Sequence, residues 1–240
     1  METISLDTVE STNLYAKSHI DELSDLTVVH AKNQSAGRGR LQRKWVDLGE
    51  GNLFMTFVLK PSDTFHSVYS NLTQYLALAL CKVLERYGLE PKIKWPNDVL
   101  VNGKKIAGIL SETVMQGSLF KGLALGIGVN LTANPESVKL VTDKEITALN
   151  MEIGKDVDIR TFREDLCSYF FSEYNDFLVN GFSKIYEDYV SRACFLGNEI
   201  TVKVFDRELH GIAKSITNNG ELVLTDKNNK EFVLTIGDIL

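Results

Sequence analysis

Asn102-Gly103 sits between two apolar runs, Ile93–Val101 and Lys105–Val114. Asn and Gly tolerate the positive φ that both central residues of a type I′ turn require, and that turn matches the twist of a β-hairpin. The pair commits the middle of the chain to antiparallel sheet. Pro96, inside the first arm, has no N–H for a ladder. It therefore ends or interrupts that strand and sets Asn97 and Asp98 at an edge or bend. Ile4–Val9, Thr27–Ala31, Leu53–Leu59 and Leu119–Val129 carry alternating or β-branched apolar residues and predict further strands.

Helices are predicted around this sheet. Val68, Leu72, Tyr75, Leu76, Ala79, Leu80 and Val83 fall at helical spacing within Ser67–Tyr87, and Gly88 stops the run. Ser11 is placed to cap a short helix reaching His19. Ile159–Leu178 and Phe182–Ala193 are amphipathic, with aromatic faces. After Gly197 the pattern changes to four short β runs: Glu199–Phe205, Leu209–Ile216, Leu222–Thr225 and Phe232–Ile236. These predict a small β-barrel over 197–240, leaning on a main domain of residues 1–196.

Residues 33–51 hold four glycines and few apolar side chains, and long loops of this kind are usually functional. Charge singles out the same region. The chain carries a net charge of −6. Yet residues 26–46 contain Lys32, Arg38, Arg40, Arg43 and Lys44 and no acid. A cationic island in an acidic chain calls for a local anionic partner and argues against general nucleic-acid binding. Within Gln34-Ser35-Ala36-Gly37-Arg38-Gly39-Arg40-Leu41-Gln42-Arg43-Lys44-Trp45, glycines allow close approach of backbone to ligand. Arginines offer bidentate donors to phosphate or carboxylate, and Trp45 offers a stacking face. Charge repulsion favours a mobile loop until an anion arrives. A solvated basic surface loop would have the same composition.

Three more clusters carry polar chemistry. Lys92-Ile93-Lys94-Trp95-Pro96-Asn97-Asp98 precedes Lys105-Ile106-Ala107-Gly108-Ile109-Leu110. Asp98 could hold Mg²⁺ or orient an amine, and Lys105 either snorkels or reaches an anion in a cleft. Gly126-Ile127-Gly128-Val129-Asn130 places two glycines in a strand, which suggests something packed against its face. Asn130 either binds a ligand or caps a turn. Ser11-Thr12-Asn13 serves as a helix cap or binds a polar head group. No Rossmann glycine pattern, P-loop or nucleophile elbow is present.

In order and spacing, these four motifs resemble the biotin–protein ligases, over about residues 4–135, with residues 197–240 similar in general pattern. The resemblance implies an α+β fold: a class II synthetase/biotin ligase-like mixed sheet with helices packed on one face, plus a small C-terminal SH3-like β-barrel. It implies activation of biotin with ATP to biotinyl-5′-AMP, then transfer to one lysine of a biotin carboxyl carrier protein. By position, Ser11, Thr12, Asn13 and Gln34 resemble the partners of the biotin ureido group. Gly37, Arg38 and Arg40 resemble the loop over biotin and adenylate, and Gly108, Ile109 and Ile127 the pocket lining. Arg43, Trp45, Asn97 and Asn130 resemble nucleotide contacts, and Arg40 and Lys105 belong to both sets. Lys105, Arg38, Arg40 and Asp98 resemble the catalytic group, with Asp98 orienting the acceptor lysine. Leu41-Gln42 departs from the Arg-Gly that many members carry.

The remaining expectations concern cofactors and partners. No His or Cys cluster predicts a direct metal site, so Mg²⁺ is expected with the ATP phosphates. The first motif begins within a dozen residues of Met1, which predicts a monofunctional ligase without the N-terminal DNA-binding domain of repressor-type members. The longest apolar run, Tyr75–Cys81, is too short to span a membrane. No signal peptide is visible, and three scattered cysteines suit a reducing compartment, so the expectation is a cytoplasmic monomer or homodimer. The rival readings are a lipoate–protein ligase-like enzyme and a non-catalytic biotin or biotinyl-adenylate binding protein.

Overall fold

The computed structural model describes residues 2–142 and 144–240; the side chain of Gln42 also lies outside the described residues. Among the described residues, seven strands build the main sheet. They are β1 (Thr3–Val9), β2 (Thr27–Gln34), β3 (Leu53–Leu59), β4 (Lys92–Lys94), β5 (Asp98–Val101), β6 (Lys104–Gln116) and β7 (Leu119–Val129). Their spatial order is β1-β2-β3-β7-β6-β5-β4. β1 and β2 pair in parallel, and the other neighbours are antiparallel. A parallel pair needs a crossover, and α1 (Thr12–Ser18) supplies it.

The Asn-Gly hairpin forms as its sequence predicts, with φ 51° at Asn102 and 77° at Gly103. Pro96 does interrupt its arm. Trp95-Pro96-Asn97 becomes a turn, and β4 folds back on β5 with Ile93 opposite Val99.

The remaining helices are α2 (Leu72–Glu85), α3 (Pro135–Val138), α4 (Leu149–Ile153), α5 (Ile159–Ser172), α6 (Tyr174–Asn180) and α7 (Tyr186–Arg192). Each of the three long helices expected from periodicity is shorter in the structure. A 3₁₀ turn over Ser67–Asn71 precedes α2, another over Gly181–Lys184 precedes α7, and Glu173 leaves helical geometry between α5 and α6. Apolar spacing marks a buried face but does not report such breaks.

The two faces of the sheet differ. Leu53, Met55, Phe57 and Leu59 of β3 join the main core with α2 and α5, where Phe57 stacks on Phe170 at 4.2 Å between ring centroids. Alternate residues face the other way. There Val29, Val58 and Ala124 form a smaller cluster with Ala16 of the short α1 and with Ile20 and Leu23 just after it. The larger helical layer thus covers one face, and the part of the opposite face beyond α1 is left for a cavity.

Residues after α7 form a second sheet from β8 (Glu199–Val204), β9 (Arg207–Ile216), β10 (Leu222–Thr225), β11 (Glu231–Leu234) and β12 (Asp238–Ile239). Its order is β11-β10-β9-β8-β12. The expected SH3-like barrel does not form. Closure would require the two edge strands, β11 and β12, to pair. Instead β12 is only two residues long and pairs with β8 alone, so the sheet stays open. The main core nonetheless runs into this sheet through Val202, Ile216, Leu222, Leu224 and Ile239. A polar seam adds to it: the Gly220 carbonyl accepts from Gln74 Nε2 at 2.8 Å and Trp95 Nε1 at 3.2 Å.

Candidate active site

A cavity of about 460 Å³ opens on the face of the sheet that α1 leaves partly bare. Its floor is fixed by register. Asp98 of β5 lies opposite Gly108 of β6, and Gly108 lies opposite Gly128 of β7. With two side chains missing, the Trp45 indole settles onto the strands. A Cβ on Gly108 would stand 2.8 Å from Trp45 Cζ3, and one on Gly128 would stand 2.7 Å from Cε2. This is the close packing that glycines within a strand allow.

Lys105 reaches the same face through an irregularity. Simple alternation would put residues 105 and 108 on opposite sides of β6. The β5–β6 register shifts between Val99 and Leu100, so Ile106 and Ala107 both enter the core. The shift turns Lys105 toward the cavity, as bulges re-aim side chains. Its Nζ lies 2.5 Å from Asp98 Oδ1 and 5.5 Å from the centre of the Trp45 ring. Burial pushes the Lys105 ammonium below its ordinary pKa, and Asp98 opposes that shift by its charge and hydrogen bond.

The glycine-arginine loop closes over the cavity as a small hairpin. Trp45 N–H donates to the Gly37 carbonyl at 2.9 Å and Gly39 N–H to that of Arg43 at 2.7 Å, while Arg38 bridges Lys44. Leu41, exposed at the tip, adopts φ 52°. The repulsion expected within the loop is offset by an acid from the second sheet. Asp238 Oδ1 lies 3.0 Å from Arg40 Nη1 and its Oδ2 lies 3.6 Å from Arg43 Nη2. Arg40 also donates to the Gly237 carbonyl at 3.0 Å. Burial lowers the Arg40 pKa, with Asp238 and Asp98 opposing.

The far end of the cavity is built at the start of α1. Gln34 Oε1 accepts from the Thr12 backbone N–H at 2.8 Å and from its hydroxyl at 3.2 Å. That engages the amide oxygen and leaves Nε2 as the donor side. The Thr56 hydroxyl lies 2.9 Å from Thr12 Oγ1 and 2.7 Å from Asn13 Oδ1. Asn13 Nδ2 donates to the Leu110 carbonyl and to Glu112 Oε2, both at 3.0 Å. Ser11 accepts from Leu14 N–H as the helix cap.

Most of the residues singled out in the sequence converge here. Ser11, Thr12, Asn13 and Gln34 line one end; Arg38, Arg40, Arg43 and Trp45 form the cover. Asn97, Asp98, Lys105, Gly108, Ile109 and Ile127 line the floor and side. Asn97 is tied to β6 by its Nδ2, which donates to the Ile109 carbonyl at 3.0 Å. Two residues sit apart. Gly37 is a backbone support for Trp45, outside the lining. Asn130 lines a separate cavity of about 30 Å³ beside Trp45 and donates to the Thr147 carbonyl.

Sequence reasoning missed Lys94, Lys144 and the C-terminal wall of Asp238, Ile239 and Leu240. Lys94 stood inside a recognised motif. The C-terminal wall carried no local signal, because its place depends on how the second sheet packs.

Among comparisons with known proteins, the model of the Biotin/lipoate A/B protein ligase family matches residues 5–130. The biotin--[acetyl-CoA-carboxylase] ligase of Paracoccus denitrificans is 34% identical over 231 residues, 93% of this chain and 94% of that protein. The bifunctional ligase/repressor BirA of Bacillus subtilis is 30% identical over 199 residues, and the match spans 82% of this chain but 61% of BirA. The biotin protein ligase of Aquifex aeolicus, solved in complex with biotin and ATP, superposes with a TM-score of 0.83 at 25% identity. That superposition covers 100% of this chain and 97% of that one. A family match over more than half the chain, and a relative similar along nearly its whole length, show that the chain belongs to the Biotin/lipoate A/B protein ligase family, as a biotin–protein ligase member.

Proposed function

We propose that this protein activates biotin with ATP, forming biotinyl-5′-AMP and pyrophosphate, and then transfers biotin to a lysine of a biotin carboxyl carrier protein domain. The observation that carries this reading is the Lys105–Asp98 pair, set beside a glycine floor and beneath an arginine loop in one cavity. In the first step a carboxylate oxygen attacks the α-phosphorus, and pyrophosphate leaves. Two anions must meet, so fixed positive charge where they meet lowers the barrier. Lys105 stands at the junction, and Arg38, Arg40 and Arg43 stand over it. In the second step the acceptor amine attacks the acyl carbon and AMP leaves. Asp98, at the edge of the floor, orients that amine.

The polar end supports biotin as the acid. Thr12 and Gln34 are held in fixed orientation and offer hydroxyl and amide groups to a ureido ring. Trp45 on the glycine floor offers its face to adenine. The loop and the second sheet together exclude water from a mixed anhydride that would otherwise hydrolyse. We assign residues 1–196 to substrate binding and 197–240 to completing the wall.

Among the described residues, no three His, Cys, Asp or Glu side chains come together to hold a metal. The cavity's two acids, Asp98 and Asp238, face Lys105 and the loop arginines. This donor set does not suit a protein-held ion; Mg²⁺ is proposed to enter with the triphosphate.

Incubation of the purified protein with biotin, ATP and a carrier domain tests the whole reading. Intact-mass analysis should show one biotinyl group on the carrier. Modification by lipoate instead, or none with folded protein, would reject it.

A further inference from the structure

One acid of the second sheet, Asp238, reaches the arginine loop. Asp238 is buried, on a two-residue strand at the edge of the second sheet. Its partners belong to the loop nearly 200 residues earlier in the chain. The two oxygens are unequal. Oδ1 makes a close ion pair with Arg40, which is also anchored on the Gly237 carbonyl. Oδ2 is buried without a hydrogen bond, and Arg43 Nη2 lies 3.6 Å from it. Arg43 is half-exposed, whereas Arg40 is mostly covered.

We propose that Asp238 is an internal counter-anion for the loop. It fixes Arg40 over the cavity and holds Arg43 loosely, so that an incoming triphosphate takes Arg43 over. Two anions cannot both be the principal partner of one guanidinium at no cost. The weaker, more solvated contact is the one that yields, because exposed ion pairs contribute little. Asp238 is therefore a positioning residue. It acts through the arginines, and it couples the second sheet to closure of the loop.

This inference rests on the proposed nucleotide site, but its first test does not. Arg38, Arg40, Arg43 and Lys44 make the loop a dense set of trypsin sites. Asp238→Asn keeps the size and one acceptor oxygen but removes the charge. Without any substrate, its loop should be cut several-fold faster than that of the wild type. An unchanged rate would overturn the latch. With biotin present, the KM for ATP should fall by roughly threefold, the order expected when a weak competing ion pair is removed. An unchanged or raised KM would overturn the counter-anion role, since a purely supporting residue can only weaken ATP binding when lost. If Asp238→Asn does not fold by circular dichroism, Arg43→Gln gives a second route. That variant removes only the loose contact, so substrate-free cleavage after Arg38 should stay near the wild-type rate, whereas Arg40→Gln, which removes the fixed one, should be cut several-fold faster. Equal rates in the two variants would overturn the latch. Absence of biotin-dependent activity with normal protease behaviour would count against the proposed function and not against the latch.

Discussion

Lys105 shows how a single ion pair sets the conditions of the proposed chemistry. Burial pushes its pKa down from 10.5, and Asp98 pushes it back up. In the proposed mechanism the ammonium is the active form, so adenylation should fall on the alkaline side at a pH below an ordinary lysine value. Asp98→Asn leaves burial unopposed and should move that limb to lower pH, which a rate profile of pyrophosphate release would show. Lys105→Ala should depress adenylate formation by roughly 10²-fold or more, the scale of losing one preorganised charge. Biotin binding measured by calorimetry should change far less. Gly128→Ala should lift Trp45 off the floor, since its Cβ would stand 2.7 Å from the ring. Overpacking of this kind costs about 1–3 kcal/mol. A matching rise in the KM for ATP and a shift in tryptophan fluorescence would show it. At this scale the sequence was informative, because charge and missing side chains are local properties. It did not show that Lys105 and Gly108 share a face. That depends on a register shift that strict alternation does not contain.

Elements bring these residues together through hydrogen bonds that cross the sheet. Thr56 of β3 lies under both Thr12 and Asn13, and Asn13 fills the space that Gly126 leaves open. Thr56→Val should therefore leave the buried Asn13 Oδ1 without its donor, at about 1–3 kcal/mol. The melting temperature should drop, and the KM for biotin should rise while that for ATP moves little. Equal changes in both would mean that Thr56 supports the fold alone. The hairpin at Asn102-Gly103 and the break at Pro96 were legible because turn chemistry is written in one or two residues. The breaks before α2 and α7 and between α5 and α6 were not, since apolar periodicity continues across them. Strand β12 was hidden for a similar reason: two residues make no pattern.

On the scale of the whole molecule, the second sheet is part of the same core and wall. Apolar contacts run from α2 into β8–β12, and Gly220 sits at the seam with φ 79°. The two regions should unfold in a single calorimetric transition; two resolved transitions would show separate cores. The barrel expected from four short β runs did not survive. Strand length and count can suggest closure, but only edge pairing creates it. The resemblance in motif order singled out residues that line one cavity, yet it did not reveal that Asp238, Ile239 and Leu240 would help enclose it. The central claim is that this cavity joins biotin to the α-phosphate of ATP. Exchange of labelled pyrophosphate into ATP measures that step without any carrier protein. The account predicts exchange that requires biotin, is not supported by lipoate and is largely lost in Lys105→Ala. Folded wild-type protein that gives no biotin-dependent exchange would contradict it.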